Sequence, residues 1–367
     1  SYLFGLTLIF LVFRDNGGTK YDGLITAVLV GCVVLSIGYP VTNATYFNAR
    51  LFYVDPLRLE DYILGTIAIL LTLEAARRTI NNALPIIVAV FLVYTYWGPY
   101  FPWEFAHRGS SIAHMIDHHY LAQEGLWNLP LGVFSIFIFL FILFGAFLDR
   151  MGAADYYCRL SMAVAGRLRG GPAKAAVFAS ALTGSITGSA NANVATTGPF
   201  TIPMMKKTGF KAEIAAGIET AASTGGQVMP PIMGASAFLI VEFTGISYWE
   251  VVKVSILPCA LYFLSVYNIV HLEARKGGLV GLPADQLERT WQVLKEGWYY
   301  LLPPFIIIIA LMYGYGVPFS GLIGILSIII LAALKGMLTL FQKSRSDGIG
   351  ASDIFGSVKR GIGNIIG

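Results

Sequence analysis

Residues 175–205 form an uncharged run of 31 residues, AAVFASALTGSITGSANANVATTGPFTIPMM, closed by Lys174 at one end and Lys206 at the other. At about 1.5 Å per residue one straight helix would be roughly 46 Å long, against a hydrocarbon thickness of about 30 Å, so a single span fits poorly. The middle of the run, TGSITGSANAN at 183–193, offers glycines, hydroxyls and amides in place of apolar surface. Cationic ends favour the cytoplasmic face, and two such ends around a polar centre read as a hairpin that enters the membrane and turns back. Irregular backbone at that depth persists only inside protein or beside a water-filled cavity. The run is therefore expected to line a site for a solute and for ions.

Composition places that hairpin in a multi-spanning protein. Hydrophobic residues make up 56% and charged residues 13% of the chain, against about 25% charged in soluble domains. Mean hydropathy is +0.68. Spans are expected at about 1–13 (partial), 21–39, 61–76, 79–97, 130–149, 214–242, 251–271, 299–317 and 319–337. One orientation puts 21 of the 25 Lys and Arg in the cytoplasm, leaves Arg50, Arg58 and Arg108 outside, and sets Lys253 within a span. The positive-inside bias selects it. The net charge of +4 then carries no implication of nucleic acid. Segments 152–169 and 283–298 mix charge with apolar residues and are expected along the inner surface. Cys32, Cys158 and Cys259 have no paired spacing, which argues against a disulfide framework or a zinc site. The apolar start SYLFGLTLIFLVF lacks a basic leader and reads as a truncated span, and the closing GSVKRGIGNIIG reads as the start of another.

A second interruption follows the hairpin. Residues 210–246 read as a helix, then STGGQVMPPIMG at 223–234, then a helix again. Gly225 and Gly226 loosen the backbone, while Pro230 and Pro231 remove two donors and cannot continue a helix. A helix broken at mid-membrane offers a positive end to an anion and a carbonyl end to a cation. With the hairpin, this is the architecture of an ion-coupled secondary transporter.

At these residues a resemblance becomes specific. GSITGSANANVATTGPFTIPMMKKTGF and AGIETAASTGGQVMPPIMGASAFLIVEFTGI are similar to the large permease subunit of tripartite ATP-independent periplasmic (TRAP) transporters. Upstream, LEAARRTINNALPIIVAVFLVY and PYFPWEFAHRG resemble the small-subunit region of the variant in which both membrane subunits share one chain. The resemblance implies an all-α polytopic membrane protein, with a scaffold over 1–120 and the first half of the permease over 121–367. It implies a hairpin at 175–205 and a broken helix at 210–246, the first of two inverted repeats of an elevator-type transporter, with the second expected beyond Gly367. The implied activity is sodium-driven uptake of an organic anion delivered by an extracytoplasmic solute-binding protein. The implied location is a bacterial or archaeal inner membrane, and the implied partners include membrane lipid but no nucleic acid.

On the matching positions, the resemblance places Ser185, Thr187, Gly188, Ser189, Asn191 and Asn193 of the hairpin in sodium and substrate binding. The broken helix adds Thr220, Ser223, Thr224, Gly225 and Gly226. Hydroxyls, amide oxygens and freed carbonyls suit a hard cation without adding negative charge. No cofactor is expected beyond sodium as coupling ion, and the residues alone leave sodium and proton both open. Glu219 lies beside the break, as a coupling residue or as support for helix packing. Glu74 with Arg77 and Arg78 reads as a local salt bridge, and His107, His114, His118 and His119 as a polar external loop.

Other function classes fit less well. The chain holds no Gly-Lys dipeptide, so an ATP-driven permease would need its phosphate loop on a separate subunit. No carboxylate pair, metal-binding His motif or Ser/Lys dyad falls at membrane depth, which disfavours an intramembrane enzyme. A passive channel is separated from a transporter by accumulation against a gradient.

Overall fold

The computed structural model describes residues 2–13 and 22–347, and every regular element among them is helical. Two compact units divide the chain, Ser1–Ser135 and Ile136–Gly367. The closing segment GSVKRGIGNIIG lies outside the described residues.

The first unit contains α1 (Tyr2–Val12), α2 (Asp22–Thr42), α3 (Ala44–Ala49), α4 (Leu59–Thr79), α5 (Ala83–Trp97), α6 (Ile112–Ile116) and α7 (Leu129–Val133). Leu6 and Phe10 of α1, Val33 and Ile37 of α2, and Leu71 and Ala75 of α4 form one core cluster. At the other end of α4, Ala68 packs with Ile116, Tyr120 and Leu121. At the basic end of α4, Glu74 accepts from Arg77 Nε at 2.8 Å and from Arg78 Nε at 2.7 Å, as the i+3 and i+4 spacing predicts. Helix α5 is apolar on every side and buries no residue within the unit, as expected of a helix whose solvent is lipid.

Two loops expected outside the membrane meet in this unit. Arg50 Nη2 donates to Asp117 Oδ2 at 3.0 Å, and the backbone N–H of Tyr53 donates to the same oxygen at 2.7 Å. Nearby, Asp61 is wholly buried and accepts from the Tyr39 hydroxyl at 2.9 Å, the Tyr46 hydroxyl at 2.8 Å and the Arg58 N–H at 2.8 Å. Asp61 thereby caps the N-terminus of α4, where the helix dipole favours an anion. Of the loop histidines, His114 lies tilted against Tyr53 at 4.9 Å between ring centroids, and His118 Nδ1 lies 3.1 Å from the Tyr53 hydroxyl. Burial holds His119 below the ordinary histidine range, and His118 pushes in the same direction.

The second unit contains α8 (Phe139–Arg150), α9 (Ala153–Ala165), α10 (Gly171–Thr187), α11 (Ala190–Lys207), α12 (Ala212–Thr224), α13 (Ala235–Thr244), α14 (Tyr248–Lys276), α15 (Thr290–Gly297), α16 (Leu302–Met312) and α17 (Val317–Asp347). Its main core is alanine-rich. Ala173 and Ala176 of α10, Ala215 and Ala222 of α12 and Ala274 of α14 let backbones approach closely, and Met205, Phe210 and Val270 fill the spaces between them. Helix α9 is amphipathic, burying Tyr156 and Tyr157. Its outer face is tied by Arg159 to Glu288 and, at 2.8 Å, to Glu296 of α15.

Six helical stretches among the described residues are long and apolar enough to cross a membrane: Gly23–Thr42, Ala83–Tyr100, Leu129–Arg150, Tyr248–Lys276, Ala284–Met312 and Val317–Lys335. The other expected spans differ for local reasons. Helix α1 has only 11 residues, α4 carries Glu60, Asp61, Glu74, Arg77 and Arg78, and the stretch 214–242 is broken between α12 and α13.

Candidate functional site

The uncharged run folds as a hairpin whose arms are α10 and α11, joined only by Gly188 and Ser189. Gly188 has φ +58°, and a methyl added to it would lie 1.8 Å from the Met233 carbonyl oxygen. Only glycine allows both that backbone and that approach. Ser189 caps α11, its Oγ accepting from the Ala192 N–H at 3.3 Å. Both outer ends of the hairpin therefore emerge together, but unequally: Lys206 is exposed, whereas Lys174 is buried at 3% exposure.

The break in the second element lies against the hairpin. After α12 the chain makes a short 3₁₀ turn, Gly225–Val228, then runs without a helix through the two prolines to α13. A methyl on Gly184 would lie 2.4 Å from the Cα of Gly226, so the two elements touch backbone to backbone. The Tyr248 hydroxyl donates to the Pro231 carbonyl at 2.9 Å and anchors the broken segment to α14. Phe238 of α13 stacks on Tyr248 at 5.0 Å and on Phe141 at 5.5 Å.

Two polar features result. A cavity of about 330 Å³ lies at the hairpin tip, lined by Thr187, Gly188 and Ser189 and by Gln227, Gly234, Ala235 and Ser236, with an apolar wall that includes Phe141 and Phe238. Two helix N-termini border it, α11 at Ser189 and α13 at Gly234. Helix α13 has no side-chain cap, so its first N–H groups are not taken by a capping side chain. A pair of positive helix ends at one cavity suits a carboxylate.

Between the arms lies Glu219, wholly buried. Its Oε1 accepts from Ser180 at 3.3 Å, from Ser223 at 3.1 Å and from Thr197, and its Oε2 accepts from Thr201 at 2.5 Å. These hydroxyls come from α10, α11 and α12. No cation pairs with Glu219 among the described residues. Each threonine hydroxyl also reaches the carbonyl four residues back, Thr197 to Asn193 at 2.8 Å and Thr201 to Thr197 at 3.0 Å. A hydroxyl carries one hydrogen, so it serves one acceptor at a time. Asn193 Nδ2 donates to the Ser180 carbonyl at 2.8 Å, which leaves its buried Oδ1 without a donor. Thr183 Oγ1 is likewise buried and unpartnered.

The residues named from sequence divide into four groups. Thr187, Gly188 and Ser189 line the tip cavity, while Asn193, Ser223 and Gly226 are buried where hairpin and break meet, with Gly225 buried against Tyr262 and Phe263 of α14. Ser185 donates to the Leu182 carbonyl at 2.7 Å and is half-buried. Asn191, Thr220 and Thr224 lie on exposed faces, the two threonines bonded to carbonyls one turn back. Sequence reasoning passed over Ser180, Thr183, Thr197 and Thr201. A signal was available, because Asn193, Thr197 and Thr201 recur at i+4 and must share one face of α11, as Glu219 and Ser223 do on α12.

Comparison with known proteins identifies the family. The model of a family described as Tripartite ATP-independent periplasmic transporter, DctM component, matches residues 67–354. The C4-dicarboxylate TRAP transporter large permease protein DctM of Vibrio cholerae serotype O1 is 29% identical over 211 residues, 57% of this chain and 44% of that protein. Its namesake from Pseudomonas aeruginosa is 30% identical over 151 residues, 41% of this chain and 35% of that protein. The namesake from Rhodobacter capsulatus is 27% identical over 190 residues, 48% of this chain and 43% of that protein. The chain thus spans less than half the length of these curated relatives.

Proposed function

The chain belongs to the DctM family of tripartite ATP-independent periplasmic transporters, multi-pass inner-membrane permeases, and we propose that it provides one half of the transport core of a sodium-coupled importer of organic carboxylates. The observation that carries this reading is the tip cavity bordered by the N-termini of α11 and α13. A solute carboxylate would accept from the leading N–H groups of α13 and from Ser189, and Phe141 and Phe238 would hold its carbon skeleton. The solutes for which those relatives are named make C4-dicarboxylates the first to test.

Coupling falls to the polar layer around Glu219. Asn193 Oδ1 and Thr183 Oγ1 are buried oxygens without donors, and they fit a hard cation near a buried carboxylate. Entry of sodium supplies the cation that no described residue gives Glu219, and lets Thr197 and Thr201 turn their hydrogens to their backbone carbonyls. This links cation binding to the packing of α11 on α12, and so to the tip. In this reading residues 1–120 act as scaffold, by the resemblance of their sequence to the small membrane subunit, with the DctM family match beginning within them at residue 67. An extracytoplasmic binding protein delivers the solute.

The test reconstitutes the full-length permease and its binding protein in proteoliposomes and follows a radiolabelled C4-dicarboxylate. Accumulation is expected with an inward sodium gradient and the binding protein together. Equal accumulation with potassium in place of sodium, or only with ATP, would contradict the proposal.

A further inference from the structure

A second cavity, of about 620 Å³, lies between the hairpin arm α10 and the long helix α14, away from the tip. Its walls are Phe178 and Ala181 on α10, Pro230 at the break, and α14 from Ile256 to Tyr267, with no charged side chain among them. Eleven helical steps separate Ile256 from Tyr267, so the groove is roughly 16 Å long. That is the length and polarity of an acyl chain.

The end of the groove is not apolar. Tyr267 contacts Phe178 at 6.1 Å between ring centroids, and the Lys174 ammonium lies 4.5 Å from the centre of the Tyr267 ring. Lys174 is 3% exposed, its hydrogen-bond partner is His271 Nδ1 at 3.1 Å, and no carboxylate pairs with it among the described residues. An ammonium has three hydrogens to donate, and a buried cation without a counter-charge is unfavourable. A histidine that accepts through Nδ1 carries its hydrogen on Nε2, which leaves a second donor beside the ammonium. The basic residues place this end of α10 and α14 at the cytoplasmic face, where the leaflet is rich in anionic lipid.

We propose that the groove holds one acyl chain of an acidic phospholipid of the inner leaflet, with the headgroup phosphate at Lys174 and His271. The phosphate supplies the counter-charge that no described residue gives Lys174, and the chain covers apolar surface from Tyr267 to the break at Pro230. Binding there ties the hairpin arm to α14 independently of which solute or ion occupies the tip.

The test is native mass spectrometry of the purified, delipidated full-length permease, titrated with phosphatidylglycerol, with phosphatidylcholine of the same acyl chains, and with oleate. One phosphatidylglycerol is expected to bind roughly tenfold more tightly than phosphatidylcholine. Lys174→Gln should bring the two to the same level, and Lys174→Arg should keep the preference. Ala260→Phe, at an exposed position lining the groove, should weaken both lipids alike. Equal binding of the two lipids by the unaltered protein, an undiminished preference in Lys174→Gln, or unaffected binding in Ala260→Phe would each overturn the proposal. Oleate held more tightly than phosphatidylglycerol would overturn it too, assigning the groove to a free fatty acid.

Discussion

Buried acids are treated differently in the two units. In the first, Asp117 faces Arg50 at 3.0 Å, and Asp61 sits at the N-terminus of α4 beneath the helix dipole. Positive potential is on hand for both, and each fastens a loop. In the second unit, Glu219 lies inside α12, and its donors are four neutral hydroxyls from three helices. Those bonds satisfy the oxygens, and no cation stands beside them among the described residues. An acid paired in place holds a structure, whereas an acid that has only neutral donors is, in the proposed reading, the place for a mobile cation.

The largest expected effect breaks the first kind of acid. Asp117→Asn leaves Arg50 buried without its partner and should destabilise the protein by about 3–5 kcal/mol, read as a fall in unfolding temperature. Transport per folded molecule should be retained, and a selective loss of transport at normal stability would erase the contrast. Glu219→Gln is the counterpart. The amide still accepts from hydroxyls, so stability should change little, while sodium-driven uptake should fall on the order of 100-fold. Asn193→Ala, which removes one neutral oxygen, should raise the sodium concentration for half-maximal uptake roughly tenfold, and an unchanged sodium dependence would remove Asn193 from the cation layer. The smallest effect belongs to Arg77→Ala: an exposed pair with Glu74 should contribute within about 1 kcal/mol, and transport should not respond.

Much of the second unit was legible in the sequence because membrane physics leaves few alternatives. An uncharged run too long for one span, with basic ends and a Gly-Ser-Asn centre, has to turn back, and it turns at Gly188 and Ser189. The Gly-Gly and Pro-Pro pairs likewise had to break the following helix, which happens between Thr224 and Ala235. What escaped was partnership across elements. Nothing local to Thr197, Thr201 or Ser180 shows that three helices direct hydroxyls at one carboxylate. That follows from tertiary packing through Gly184 and Gly226. Lys174 taught the same lesson in reverse. As a basic end of the hairpin it is expected at the cytoplasmic face, yet its side chain is buried over Tyr267, so labelling experiments on topology should use Arg169 and Lys206, which are both exposed.

Thermal unfolding of the full-length permease across a sodium titration, beside Glu219→Gln, tests the role of Glu219 most directly. A ligand bound only by the native state stabilises it by about 2.7 kcal/mol at 100 times its dissociation constant. The unaltered protein should gain stability with sodium and not with potassium at equal ionic strength, and Glu219→Gln should lose that gain while folding normally. An equal sodium-specific gain in both proteins would show that the hydroxyl-lined acid does not hold the cation.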